Sequence, residues 1–565
     1  MRRSPIAFLT FHLALAALVF SMHHTVALWE NGGDYTPFGV SENVSAITLD
    51  ETHYAAPAVH LAVLHRFAAE TDIYEHRDLH ANIPFIPTGI LAALTLASGS
   101  IERAFVWSDV LFPPLLLLLL YMLSEGLVEN RFYRMLIAWG TLAIPFAIRD
   151  FTWLGYESRL NPPIVTRTPQ PEMSLVFLLA AMLLLARSLT LPSRWLRALT
   201  AGLSVGLLIY CYYFYFVASF AAVGLLFLLG LVWRNRPLVR AAATAVAGAV
   251  LAALPYLAVL LLARREGGQA FILGRMATYT RHLYPEPLIE GMVLLAAIVA
   301  YGRRASMKSA AHMRYLVTAV MIATGLLISN IHVITGIDVQ NAHFLSRLSH
   351  PLLFFLAGVT VFHFLERGFL SWVWARNALR VAFVLLVGSL AAHQALVASN
   401  VAPYQRETSS QMQLVLWLRS NVPPESVVGT VSPSLISLIP ALTADFSYVP
   451  TGNRSMTATP EIFERYYELA SALGLSQADV AHIGAKPGKL HPSELLLTFG
   501  LRPNRIGELV HGFGAFLATG RPALKYRLDY VVLLASEAIP SSVAALYPQA
   551  AEVYRNVDFE VVRLR

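Results

Sequence analysis

The placement of arginine constrains this chain more than any other feature, because basic residues cluster in alternate gaps between long apolar runs. The runs lie at about 5–28, 103–124, 131–149, 172–188, 197–213, 214–233, 240–263, 288–301, 313–330, 350–366 and 377–398. Arg131 and Arg134 share one gap, Arg187, Arg194 and Arg197 the next but one, and Arg234, Arg236 and Arg240 another. Arg303, Arg304, Lys308 and Arg314 follow, then Arg367, Arg376 and Arg380. Short connections rich in Arg and Lys stay on the cytoplasmic face. Eleven spans put all of these clusters there, with the N-terminus inside and the C-terminal region outside. The apolar segment 83–98 carries Pro84, Pro87 and Gly89 and is short for a span. Counting it as one would invert everything after it, so it reads as an interfacial helix on the outer surface. Met1-Arg2-Arg3 before the first run resembles a signal peptide. With no small-x-small cleavage site evident, that run reads as a retained first span.

Composition agrees with this layout. Apolar residues make up 56% of the 565 and charged ones 14%, which leaves no room for an ordinary soluble fold over most of the length. The net charge of +7 does not point to nucleic acid. From Ala402 onward basic and acidic residues balance, so the excess belongs to the membrane part, where it sets orientation. Cys211 is the only cysteine, which excludes a disulfide within the chain. Basic residues are nearly all Arg, a usage that fits a GC-rich bacterial source and hence a bacterial inner membrane. Past Pro403 the pattern becomes soluble α/β, with strands expected at Val427–Val431, Tyr530–Leu534 and Phe559–Leu564 and a helix at Glu461–Leu473. The fold class expected is a polytopic α-helical membrane protein with a C-terminal periplasmic α/β domain. Residues 1–402 would form the membrane domain, with a first outer loop at 29–102, and 403–565 the soluble domain. No internal repeat, P-loop, GxGxxG or zinc-ligand spacing is present.

Chemistry is expected on the outer loops. The first carries Leu49-Asp50-Glu51-Thr52-His53-Tyr54-Ala55, ahead of a short helix expected from Pro57 to Glu70. Paired acids at a membrane mouth suggest function, although Asp50 capping a helix beside a solvated Glu51 is the plain structural alternative. A carboxylate in reach of a hydroxyl can act as its general base, and a second can orient the acceptor or share a divalent cation, Mg or Mn. On a later loop His343, Arg347 and His350 fall at i, i+4 and i+7, one helical face entering the membrane. That face can clamp an anion, since the guanidinium fork matches two phosphate oxygens; snorkelling to the headgroups is the alternative. Arg275, Arg281 and His282 could assist. Asp150, Glu157 and Arg159 are secondary candidates, as is Tyr54. The aromatic run from Tyr210 to Phe216 reads most simply as an interfacial belt.

The layout of a first span, an outer loop bearing Asp-Glu, many further spans and an outer C-terminal domain resembles the GT-C glycosyltransferases. Asp50-Glu51-Thr52-His53-Tyr54-Ala55 is similar to the DE-x-x-Y-A signature of the lipid A aminoarabinose transferases and protein O-mannosyltransferases. The resemblance implies a polyprenyl-phosphate-linked sugar donor and transfer on the outer face, with inversion, to a glycan, lipid or protein acceptor. Asp50 matches the family's base and Glu51 its neighbour. The basic phosphate-binding residues of the family do not align by motif, and no WWDYG-like motif stands in the tail. Rival readings are a transporter or flippase, an O-antigen ligase or polymerase, and a non-catalytic scaffold for envelope glycans. A transporter would favour polar groups at mid-membrane and repeated halves, and a ligase would centre on one large later loop.

Overall fold

A computed structural model describes residues 5–565 except 39–44, 69, 81–83, 150–165, 191–194, 267–276, 303–309, 367–372, 452–454, 486–505, 521–523 and 536–538. It divides into two compact units. The first comprises 1–26, 106–257 and 277–400; the second comprises 27–105, 258–276 and 401–565.

Every apolar run becomes helix. In chain order these are α1 (Pro5–Phe20), α2 (Met22–Asn31), α3 (Ser45–Leu64), α4 (Phe85–Ser98), α5 (Ile101–Leu123), α6 (Arg131–Arg149), α7 (Glu172–Thr190), α8 (Trp195–Leu207), α9 (Tyr213–Val232) and α10 (Arg236–Arg265). The later helices Glu286–Gly302, Ala310–Ser329, His350–Leu365 and Val373–Val401 complete the series. Among the described residues, seven helices are long and apolar enough to cross a membrane, or eight if α1 and α2, bent by 49° at Ser21, count as one span. The protein is therefore a multi-pass membrane protein. Three of the eleven expected spans, α6, α8 and Glu286–Gly302, are helices at the expected places but stand outside that set. Segment α4 is an apolar helix of 14 residues, too short to span.

The first unit is packed by aliphatic side chains and by close backbone approach. Trp139 on α6 is fully buried and stacks on Phe20 of α1 at 5.7 Å between ring centroids. Gly202 and Gly206 on α8 face Ala245 and Ala249 on α10, and a Cβ at Gly206 would come within 2.7 Å of the Ala252 Cβ. Small residues four apart let helix backbones meet where no hydrophobic force drives helices together.

The second unit is built on a five-stranded sheet. Numbering after a two-residue antiparallel ladder in the first unit (β1, Thr278–Tyr279; β2, Ile337–Asp338), its strands are β3 (Val427–Gly429), β4 (Phe446–Ser447), β5 (Tyr530–Leu534), β6 (Ala551–Arg555) and β7 (Phe559–Arg563). Their order is β4-β3-β5-β7-β6, with β3 parallel to β4 and β5, and β7 antiparallel to β5 and β6. The three expected strands and the helix, here Thr459–Ala472, form within a few residues of the expected bounds. The loop after α3 belongs to the same unit. Asp72 accepts from the Thr451 amide at 2.9 Å and from the Thr451 hydroxyl, and its carbonyl accepts from the Ser447 amide at 2.8 Å. Glu70 accepts from Ser455 Oγ at 2.8 Å and the Met456 amide at 2.7 Å. Arg465, fully buried, ion-pairs with Glu75 and Glu461 at 2.9 Å each.

Candidate active site

The Asp-Glu pair is helical. The expectation of a helix from Pro57 to Glu70 is corrected: α3 begins twelve residues earlier, ends at Leu64 and holds Pro57 in its interior. An interior proline costs a hydrogen bond to the carbonyl four residues back. Burial offsets that cost, since Thr52, Ala55, Ala56, Val59 and Ala62 form one buried face. Their small size lets α3 pack closely on α4 and on the helix Pro433–Leu442 of the same unit. Asp50 is the sixth residue of α3, so it is not the helix cap, and it precedes Tyr54 by one turn. Glu51 and Tyr54 are half-buried, and the Tyr54 ring lies 5.0 Å from that of His53. The Asp50 side chain lies outside the described residues.

In the first unit Arg347 and His343 meet on one phenol. Arg347 Nη1 donates to Tyr212 Oη at 2.7 Å, and Tyr212 Oη lies 2.8 Å from His343 Nδ1. The hydroxyl therefore accepts from the guanidinium and has its own proton to give to the imidazole. Tyr215 Oη donates to the Arg347 carbonyl at 3.0 Å. These tyrosines stand at the break between α8 and α9, where a 3₁₀ turn at Leu208–Tyr210 is followed by an extended Tyr212. Tyr212 and Tyr215 are buried and do not form part of an interfacial belt, whereas Tyr213 is exposed. Gln170 Nε2 donates to the Cys211 carbonyl at 2.9 Å, tying the segment before α7 to this break. That segment carries Arg167. Burial and the positive charge of Arg347 pull its guanidinium down to about 10, so it still carries its charge at neutral pH.

Arg347 is buried and Arg167 half-buried, and two like charges that act on each other this way raise each other's energy unless an anion is near. Among the described residues no carboxylate forms an ion pair with Arg347, which is itself buried. The arrangement suits an oxyanion with donors from Arg347, Arg167 and an aromatic wall. Sequence reasoning did not assign Arg167 or Tyr212, because only the fold brings positions 167, 212 and 347 together.

The expectation that His350 shares this face is corrected. Residues Leu345–Ser349 form a π-helical turn, which is wider than an α-turn and delays every later side chain around the axis. His350 contacts Glu290 on Glu286–Gly302 instead. Arg281 lies beside the β1–β2 ladder, its Nη1 3.4 Å from the Val333 carbonyl and its guanidinium against Gly336. His282 offers its carbonyl to His332 Nε2 at 2.7 Å. Arg275, Asp150, Glu157 and Arg159 lie outside the described residues.

This fold and these residues define a polytopic helical membrane protein in which Arg347, Tyr212 and His343 form a basic and aromatic cluster. No protein-family model matches the chain, and no curated protein does. Among solved structures the chain is similar to that of ArnT from Cupriavidus metallidurans bound to undecaprenyl phosphate, at 13% sequence identity and a TM-score of 0.49. The similarity covers 100% of this chain and 99% of that one.

Proposed function

We propose that the protein is a membrane glycosyltransferase of the GT-C type that moves a sugar from a polyprenyl-phosphate donor to an acceptor hydroxyl. The observation that carries this reading is the Arg347–Tyr212–His343 arrangement with Arg167 beside it, a site for an oxyanion in a unit made of membrane helices. The Asp-Glu-x-x-Tyr-Ala run on α3 supports it. In the proposed reaction the acceptor oxygen attacks the anomeric carbon as the carbon–oxygen bond to phosphate breaks, inverting the centre. The phosphate leaves with the bonding pair, and Arg347 and Arg167 stabilise its growing charge. The acceptor proton passes to the Asp50 carboxylate. No step is assigned to a divalent ion at Asp50 and Glu51. The setting is the bacterial inner membrane, with α3 and the C-terminal sheet on the periplasmic side.

The test is transfer from a radiolabelled polyprenyl-phosphate sugar in reconstituted bilayers. Asp50→Asn should cut turnover by roughly 10²–10⁴ with donor binding kept. Arg347→Ala should lose on the order of 2–4 kcal/mol of transition-state stabilisation, and Arg347→Lys, which keeps the charge without the fork, less. Equal transfer by wild type, Lys and Ala at unchanged yield would remove Arg347 from the reaction.

A further inference from the structure

The bend between α1 and α2 places two adjacent histidines against a buried carboxylate, all within the first unit. His23 Nε2 lies 3.1 Å and His24 Nε2 2.8 Å from the same oxygen, Asp109 Oδ2 on α5. The two imidazole rings are 4.0 Å apart. One ligand atom from each of the three residues lies within 4.8 Å of the others. Glu172, the first residue of α7, stands within hydrogen-bond reach of Asp109. It is held there by Ser108 Oγ at 2.5 Å and Thr168 Oγ1 at 2.8 Å, both donating to Glu172 Oε2.

The donor count is what singles this cluster out. Asp109 is 2% exposed and Glu172 fully buried, and apart from their approach to each other Asp109 Oδ1 and Glu172 Oε1 have no hydrogen-bond partner. His23 Nδ1 lacks one too. Two facing carboxyl groups sealed from water need either a shared proton or a positive charge between or beside them. Nothing in the proposed sugar transfer uses these residues.

We propose that His23, His24 and Asp109 bind a first-row divalent transition-metal ion, Zn²⁺ foremost, with Glu172 as the outer carboxylate that orients Asp109. Two imidazoles and one carboxylate suit such an ion, whereas Mg²⁺ and Ca²⁺ favour oxygen-only sets. Bonds of about 2.0–2.2 Å at tetrahedral angles set donor atoms about 3.4 Å apart. The nitrogens lie 3.1 and 2.8 Å from Asp109 Oδ2, and one ligand atom of each residue lies within 4.8 Å of the others, so small ring movements reach that spacing. Binding displaces the protons that the imidazoles otherwise donate to Asp109. A dication then balances the two carboxylates and fastens the α1–α2 bend to α5 and α7. The inference does not rest on the glycosyltransferase reading.

The experiment uses the full chain in lipid nanodiscs, purified through a tag without histidine, stripped with chelator and titrated with Zn²⁺ or Co²⁺. Wild type should retain a single Zn²⁺ per chain by elemental analysis after desalting, gain thermal stability from it, and give the visible absorption of four-coordinate Co²⁺. His24→Ala and Asp109→Asn should lose retention, absorption and stabilisation together. Glu172→Gln should keep the ion with affinity weakened about 10–100-fold. If a variant fails to fold, the Co²⁺ spectrum of wild type decides: a featureless or six-coordinate spectrum overturns the proposal. Failure of wild type to retain Zn²⁺ overturns it as well, leaving the carboxyl pair to share a proton. Retention unchanged in both ligand variants would place the ion elsewhere and overturn it too.

Discussion

Glu70 shows how a single buried group sets a pH limit on the second unit. Burial, together with the negative charge of Asp72, pushes its carboxyl up from 4.5 to about 7, against the opposing pull of the amides and hydroxyl that donate to it. A carboxyl raised in the folded state contributes stability that is fully present below 4.5 and is lost as pH rises through about 7. Glu70→Gln cannot ionise and keeps one carbonyl acceptor. Its stability relative to wild type should therefore improve between pH 4.5 and 8, by up to on the order of 3 kcal/mol. Thermal melts of the full chain across that range test this, and a pH-independent difference would refute it. Single residues were unevenly legible. Arg347 stands out in the sequence by its place on a helical face entering the membrane, with snorkelling as its alternative; its burial against Tyr212 is visible only in the fold. Arg167 sits in a Pro-rich loop, and only its tertiary neighbours give it meaning. His23 and His24 lie within the first apolar run and gain a role only where the fold sets Asp109 beside them.

Helix contact in the first unit depends on glycines whose role can be measured. Gly206→Leu drives a side chain into the α10 backbone at Ala249, and overpacking of this kind costs about 1–3 kcal/mol or more. A Cβ added at Gly224 on α9 meets nothing within 4 Å, so Gly224→Leu serves as the control. Detergent melts should show a clear drop for the first and little change for the second; equal melts would mean that α8 and α10 do not need this close approach. Elements with a strong period were readable in advance, which is why helices stand at all eleven expected runs. Two departures have local causes. Pro57 suits a first helical turn in sequence, but α3 starts at Ser45 and alanines upstream carry the helix through the proline. The π-turn at Leu345–Ser349 leaves no mark in hydropathy, so the phase of His350 could not be read. Strands β4 and β6 were likewise invisible: the first is two residues long, and the second has no buried face of its own.

At the scale of the whole molecule, the arginine pattern predicts which side of the membrane each loop faces. In a Cys211→Ser background, Ala310→Cys and Ala478→Cys are both exposed positions. Impermeant thiol labelling of intact cells should reach the second and spare the first until the membrane is opened; labelling of both from one side would end the eleven-span topology. Chain order has a further consequence. Glu70 and Asp72 find their donors at Thr451, Ser455 and Met456, some 379 to 386 residues later. At about 5–20 residues per second, synthesis of that interval takes roughly 20–80 s. Throughout it the loop after α3 waits without the partners that fix it, while the helices in between are made. A nascent chain stalled before residue 445 should be cut between residues 65 and 80 by added protease, and the released full chain should resist, so biogenesis of this protein includes an interval in which its first loop is exposed to proteases and chaperones.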